Sequence, residues 1–66
     1  MSVAKTIEIT SESPKSFEDA VDEGIAKAAQ TVDDIKGAWV GDQEVVVENG
    51  KVTAYKVRLK VTFVLK

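Results

Sequence analysis

Apolar and polar residues alternate from Val3 to Thr10, with Val3, Lys5, Ile7 and Ile9 on one side and Ala4, Thr6, Glu8 and Thr10 on the other. This period of two predicts a first strand. Ser11-Glu12-Ser13-Pro14 interrupts the pattern. Proline costs no hydrogen bond at the first helical position, so a helix is expected to open at Pro14 with Ser13 as its N-cap. The period then changes: Phe17, Ala20, Val21, Gly24, Ile25, Ala28, Ala29 and Val32 recur at three-four spacing and fall on one stripe. The small residues Ala20, Gly24 and Ala28 on that stripe predict that another element approaches the helix closely. Glu18, Asp19, Asp22 and Glu23 lie toward the positive end of the helix dipole, and Lys27 follows Glu23 by four residues. This acidic group reads as a solvated helix face.

Asp33-Asp34 forms a connection to a second, valine-rich strand from Gly37 to Glu48, in which Gly37 and Gly41 mark a bend or bulge. Asn49-Gly50 between strand-like segments is a strong hairpin signal, because both residues tolerate positive φ. The third strand, Val52 to Leu65, sets Tyr55, Val57, Leu59, Val61, Phe63 and Leu65 against Lys56, Arg58, Lys60 and Thr62, and its odd positions are expected to face the helix. A two-residue turn without a bulge pairs Glu48 with Lys51, Gln43 with Lys56, Trp39 with Lys60 and Gly37 with Thr62. In that register Val40, Val46, Val57 and Leu59 point to the helix, while Gly37, Trp39, Gly41 and Gln43 join Lys56, Arg58 and Lys60 on the other face.

The resulting expectation is an α+β fold of strand-helix-strand-strand order, a three-stranded antiparallel sheet packed on one helix, with residues 1–66 forming a single domain. One helix covers one face of such a sheet, and its strand edges invite pairing with another chain. A chain of 66 residues also buries too little surface for a comfortable margin of stability, and such chains commonly add disulfides, a metal or subunit contacts. A closed homo-oligomer answers both demands.

Composition narrows the chemistry. With no cysteine and no histidine, the thiolate and imidazole zinc patterns, cysteine redox chemistry and the usual nucleophile-base pairs are excluded. No catalytic residues are assigned, and the chain reads as a non-enzyme. The net charge of −2, from nine basic and eleven acidic side chains, does not attract nucleic acid or anionic membrane by itself. The first residues, Met1 to Lys5, lack the apolar stretch of a signal peptide, and no run approaches the roughly 20 apolar residues of a membrane span. The expected location is cytoplasmic.

Ser13-Pro14-Lys15-Ser16-Phe17, Val32-Asp33-Asp34-Ile35, Glu48-Asn49-Gly50-Lys51-Val52 and Ala54-Tyr55-Lys56-Val57-Arg58-Leu59-Lys60-Val61-Thr62-Phe63 together resemble the dodecins, and the likeness spans nearly the whole chain. The resemblance implies small strand-helix-strand-strand subunits assembled as hollow homododecamers, many of which store flavins in pairs between subunits. It also implies a flavin-stacking tryptophan early in the second strand and a glutamine in the third. Here Gly37 and Lys56 stand at those positions, with Trp39 two residues after Gly37 and Gln43 further along the strand. Glycine has no ring to stack and lysine has no carbonyl acceptor, so the usual flavin sandwich is not expected to form unchanged.

The basic residue at position 56 and the Val32–Ile35 run also resemble the calcium dodecins, a subgroup that departs from the flavin motif. Calcium or magnesium is the cofactor this implies, with Asp42, Glu12 and Glu44, joined by Gln43, as candidate oxygen ligands. The position of Lys15 holds an acid in related metal sites, so that partner is missing here. The leading reading is therefore an oligomeric binding or storage protein with weak or absent flavin binding and a bound cation. The first alternative is a riboflavin or FMN store that uses Trp39 as the stacking ring. The second is a single-stranded nucleic-acid binder built on Trp39, Lys56, Arg58 and Lys60, which the acidic total charge opposes.

Overall fold

A computed structural model describes residues 3–65. The ends of the 1–66 reading, Met1, Ser2 and Lys66, lie outside the described residues. The order is β1 (Val3–Ser13), α1 (Phe17–Ala28), β2 (Ile35–Glu48) and β3 (Lys51–Leu65). The three strands form one antiparallel sheet in the order β1-β3-β2, the expected α+β architecture. The last strand in the chain is thus the central one, and β1 and β2 are both edges.

The first strand continues past Thr10, because Ser11, Glu12 and Ser13 pair with Val57, Lys56 and Tyr55. This moves the helix start. Ser13 belongs to the sheet and is buried, so it does not cap the helix. The N-cap is Ser16, with extended backbone (φ −169°, ψ 167°), and its Oγ accepts the Asp19 N–H at 2.9 Å. The Ser13 hydroxyl instead ties the end of the strand to the helix: Oγ donates to Asp19 Oδ2 at 2.5 Å and accepts the Lys15 N–H at 3.0 Å. Pro14 lies in the connection between strand and helix. The helix also ends earlier than its apolar stripe, at Ala28, with Ala29 as C-cap. The Val32 N–H still reaches the Ala28 carbonyl at 3.0 Å in the turn that follows.

The stripe of small residues does bring the sheet close. Ala20 and Gly24 are buried, and a Cβ at Gly24 would stand 2.9 Å from both Leu59 Cδ1 and Ser11 Cβ. Ala20, Val57, Leu59 and Val61 form the core, flanked by Ile7, Ile9, Phe17, Val21, Ile25 and Ile35. Phe17 and Tyr55 close one end edge to face, with centroids 5.1 Å apart. As expected, odd positions of β3 face the helix.

A helix of 12 residues is about 18 Å long, whereas β3, with 15 residues, spans roughly 50 Å. The molecule is accordingly 51 Å long and 19 × 14 Å across. The helix packs on β1 and β3, and β2 keeps Val40 and Val45 exposed on the face shared with Leu59 and Tyr55.

The hairpin turn has the expected geometry, with positive φ at Asn49 (52°) and Gly50 (74°). At the other end of β2, Asp34 also has positive φ (59°), and its carbonyl accepts the Val64 N–H at 3.1 Å. The register between these points differs from the unbulged expectation. Glu48↔Lys51, Trp39↔Lys60 and Gly37↔Thr62 hold, but Lys56 pairs with Glu44 and Gln43 pairs with Val57. Register shifts between Val46 and Val47 and between Val40 and Gln43 account for this. Each shift moves the following residues to the other face. Gln43 therefore shares the helix-side face with Val57. Val46 pairs with Ala54 and does not point to the helix as expected.

Candidate functional site

The outer face of the sheet is built in rows of three, one residue from each strand. Thr6, Thr62 and Gly37 form the first, with the two threonine hydroxyls 3.5 Å apart. Glu8, Lys60 and Trp39 form the second. In the third, Thr10 and Arg58 stand opposite the bulge at Gly41-Asp42. Glu12, Lys56 and Glu44 form the fourth. Successive rows are about 6.6 Å apart, the rise of two strand residues.

The bulge decides what this face carries. An unbulged β2 would send Asp42 and Glu44 to the helix side and Gln43 outward. Instead, both Gly41 and Asp42 are accommodated opposite Arg58, and the alternation after them is inverted. A Cβ at Gly41 would come within 3.2 Å of the Arg58 carbonyl, which is where a residue without a side chain helps the bulge to form. Arg58 Nη1 donates to Asp42 Oδ2 at 3.0 Å, and Lys56 Nζ lies 3.6 Å from Glu44 Oε1. The two carboxylate side chains are 82% and 70% exposed.

The structure thus gathers Glu12, Asp42 and Glu44 with Gly37, Trp39 and Lys56 on one face and separates Gln43 from them. Trp39 is 74% exposed. With Glu8, Val40, Gly41, Asp42, Arg58 and Lys60 it lines an open groove of ≈ 460 Å³. A Cβ at Gly37 would meet nothing within 4 Å, so the space beside Trp39 is clear. Among the described residues no three acidic side chains converge tightly enough to hold a metal ion. Calcium takes six to eight oxygens, so one copy supplies part of a shell at most. Each basic side chain of the face has a carboxylate in its row, so the basic stripe is neutralised. The sequence offers Arg58 only as part of the basic stripe of the nucleic-acid alternative, not as a neighbour of the cation candidates. Its spacing of two residues from Lys56 is the signal that it borders the same site.

The likenesses to known proteins run the length of the chain. It is 42% identical over 67 residues to calcium dodecin of Mycobacterium tuberculosis, covering 100% of this chain and 93% of that protein. The crystal structure of that calcium-chelating antigen, described with a novel calcium-binding site, has a TM-score of 0.84 at 38% identity, covering 97% of this chain and 91% of the other. The dodecin of Streptomyces davaonensis superposes with a TM-score of 0.94 at 25% identity, covering 98% of this chain and 96% of that one. The backbone therefore superposes better on the chain that is less similar in sequence. The dodecin family model matches residues 3–66, and with these likenesses it shows that the chain belongs to the dodecin family.

Proposed function

We propose that this protein is a homododecameric binding and storage protein without catalytic activity. It holds calcium through carboxylates of the outer sheet face and takes flavin weakly or not at all. The observation that carries the reading is the bulge at Gly41-Asp42, which turns Asp42 and Glu44 onto the face that also bears Glu12. Oxygen donors of this kind suit a hard cation. Exposed carboxylates suit the variable shell of calcium better than the strict octahedron of magnesium. The resemblance to calcium dodecin supports the same choice. Assembly follows from the mismatch between helix and sheet lengths: exposed Val40, Val45, Val47 and Val52 need cover, and neighbouring copies can complete the cation's shell.

The case against flavin rests on two positions. Gly37 provides no ring, and Lys56, beside Glu44, replaces the amide. Losing one stacking partner costs about 1–3 kcal/mol by analogy with base stacking, roughly a ten- to hundredfold weakening. Three measurements on the purified chain test the reading. Light scattering should give a mass near twelve chains, calorimetry should show calcium binding that Asp42→Ala weakens at least tenfold, and riboflavin fluorescence should remain unquenched at micromolar protein. A monomeric mass, or calcium binding indifferent to Asp42→Ala, refutes it.

The exposed indole of Trp39 beside the clear space at Gly37 favours one second reading, a flavin store in which Trp39 supplies the displaced ring. Submicromolar quenching of riboflavin or FMN, abolished by Trp39→Ala, would establish that reading in place of the first.

A further inference from the structure

We propose that Asn49-Gly50 is a self-modifying site, at which the chain converts its own asparagine to a carboxylate in a reaction gated by opening of the hairpin turn. Asn49 is the only asparagine of the chain, and asparagine is among the thermolabile side chains. Both turn residues are exposed. A Cβ at Gly50 would meet nothing within 4 Å, so no neighbour shields its nitrogen. The turn closes through the pair Glu48↔Lys51, and among the described residues the Gly50 N–H donates no hydrogen bond that would hold it. In the reaction the Gly50 nitrogen loses its proton to hydroxide and attacks Asn49 Cγ. The N–Cγ bond forms, Cγ–Nδ2 breaks, and ammonia leaves. Water then opens the five-membered imide at either carbonyl: opening at Cγ gives aspartate, and opening at the main-chain carbonyl gives isoaspartate, in which the chain runs through Cβ and Cγ.

The fold controls both the rate and the outcome. Asn49 and Gly50 have φ of 52° and 74°. In the left-handed conformation ψ is about +47°, which sets Cβ and the Gly50 nitrogen on opposite sides of the Asn49 Cα–C bond. Ring closure needs them on the same side, so the turn must open first. It opens locally, because the helix packs on β1 and β3 and the tip is flanked by the exposed pair Val47↔Val52. The aspartate product keeps the turn, since Asp-Gly suits the same geometry. Isoaspartate lengthens the turn by one main-chain atom, and the register at Glu48↔Lys51 and Val47↔Val52 is lost from the tip inward.

Mass spectrometry of the full chain, held for weeks at mildly alkaline pH either folded or in guanidinium chloride, tests this. The mass gain of one amide exchanged for an acid should map to Asn49 and proceed about tenfold more slowly in the folded chain than in the unfolded one. It should be absent in Asn49→Gln, whose imide would need a six-membered ring. In the unfolded chain, where turn geometry plays no part, Gly50→Ala should slow the conversion several-fold, because its Cβ crowds the attacking nitrogen. A folded chain that never converts overturns the site, and equal rates in the folded and unfolded chains overturn the gate. Indifference to Gly50→Ala would mean direct hydrolysis of the amide and overturn the ring mechanism. The isoaspartate form, separated by chromatography, should melt about 4 °C or more below the unmodified protein, while Asn49→Asp should melt close to it. Equal melting of the isoaspartate and unmodified forms overturns the distinction between the products.

Discussion

The two edges of the sheet solve the same problem differently. Strand β1 keeps one register against β3 from Val3↔Leu65 to Ser13↔Tyr55, because helix α1 lies over that half and any slip would move Ile7 and Ile9 out of the core. Strand β2 pairs with the same partner yet shifts register three times. Little of the helix covers it, and Val40 remains 49% exposed while Leu59 opposite is fully buried. Burial thus enforces alternation on one side of β3, and the freedom left on the other side is where the charged outer face is arranged.

The largest expected effect lies in the covered half. Leu59→Ala should destabilise by about 2–5 kcal/mol, read from chemical denaturation at constant protein concentration, because subunit association and folding are linked. A loss below about 1 kcal/mol would show that the contact with Gly24 and Ala20 is not the core it resembles. At the hairpin, Gly50→Val should cost more than the roughly 1 kcal/mol of an unstrained glycine replacement, since φ is +74° there and a β-branched residue avoids that region. An unchanged melting temperature would mean that the turn has another geometry in solution. Ser16→Ala removes the side-chain acceptor for the Asp19 N–H and should cost about 1 kcal/mol. If Ser13→Ala cost the capping energy and Ser16→Ala nothing, the helix start would be the one expected from Pro14. The smallest effect belongs to the open edge: Val45→Ala, only 38% exposed in one chain, should cost about 1 kcal/mol or less unless a neighbouring copy covers it. A larger loss that grows with dilution would locate a subunit interface on β2.

Much of the residue placement on the outer sheet face was legible in the sequence. Trp39 opposite Lys60 and Gly37 opposite Thr62 follow from counting back from Asn49-Gly50, because two bulges of opposite effect cancel before Trp39 is reached. Gln43 lies between those bulges, so counting put it on the wrong face and paired it with Lys56 instead of Val57. The acids Asp42 and Glu44 were named for their oxygen chemistry, while their meeting with Arg58 and Lys56 could not be derived from an unbulged ladder. The N-cap was misplaced for a related reason. Ser13-Pro14 carries the local signal of a helix start, but pairing with Tyr55 claims Ser13 for the sheet and leaves the cap to Ser16.

What the sequence alone determined are the properties set by short-range chemistry: the period-two and three-four hydrophobic patterns, the Asn-Gly turn, the small-residue stripe, and the absence of thiol and imidazole. These specify the strand-helix-strand-strand order and the side of β3 that the helix covers. Only the tertiary structure decided where β1 ends, which serine caps α1 and which face Asp42, Gln43 and Glu44 take. The physical reason is that one inserted residue inverts every side chain beyond it at small local cost, and whether the chain accepts that insertion depends on partners across the sheet rather than on neighbours along it.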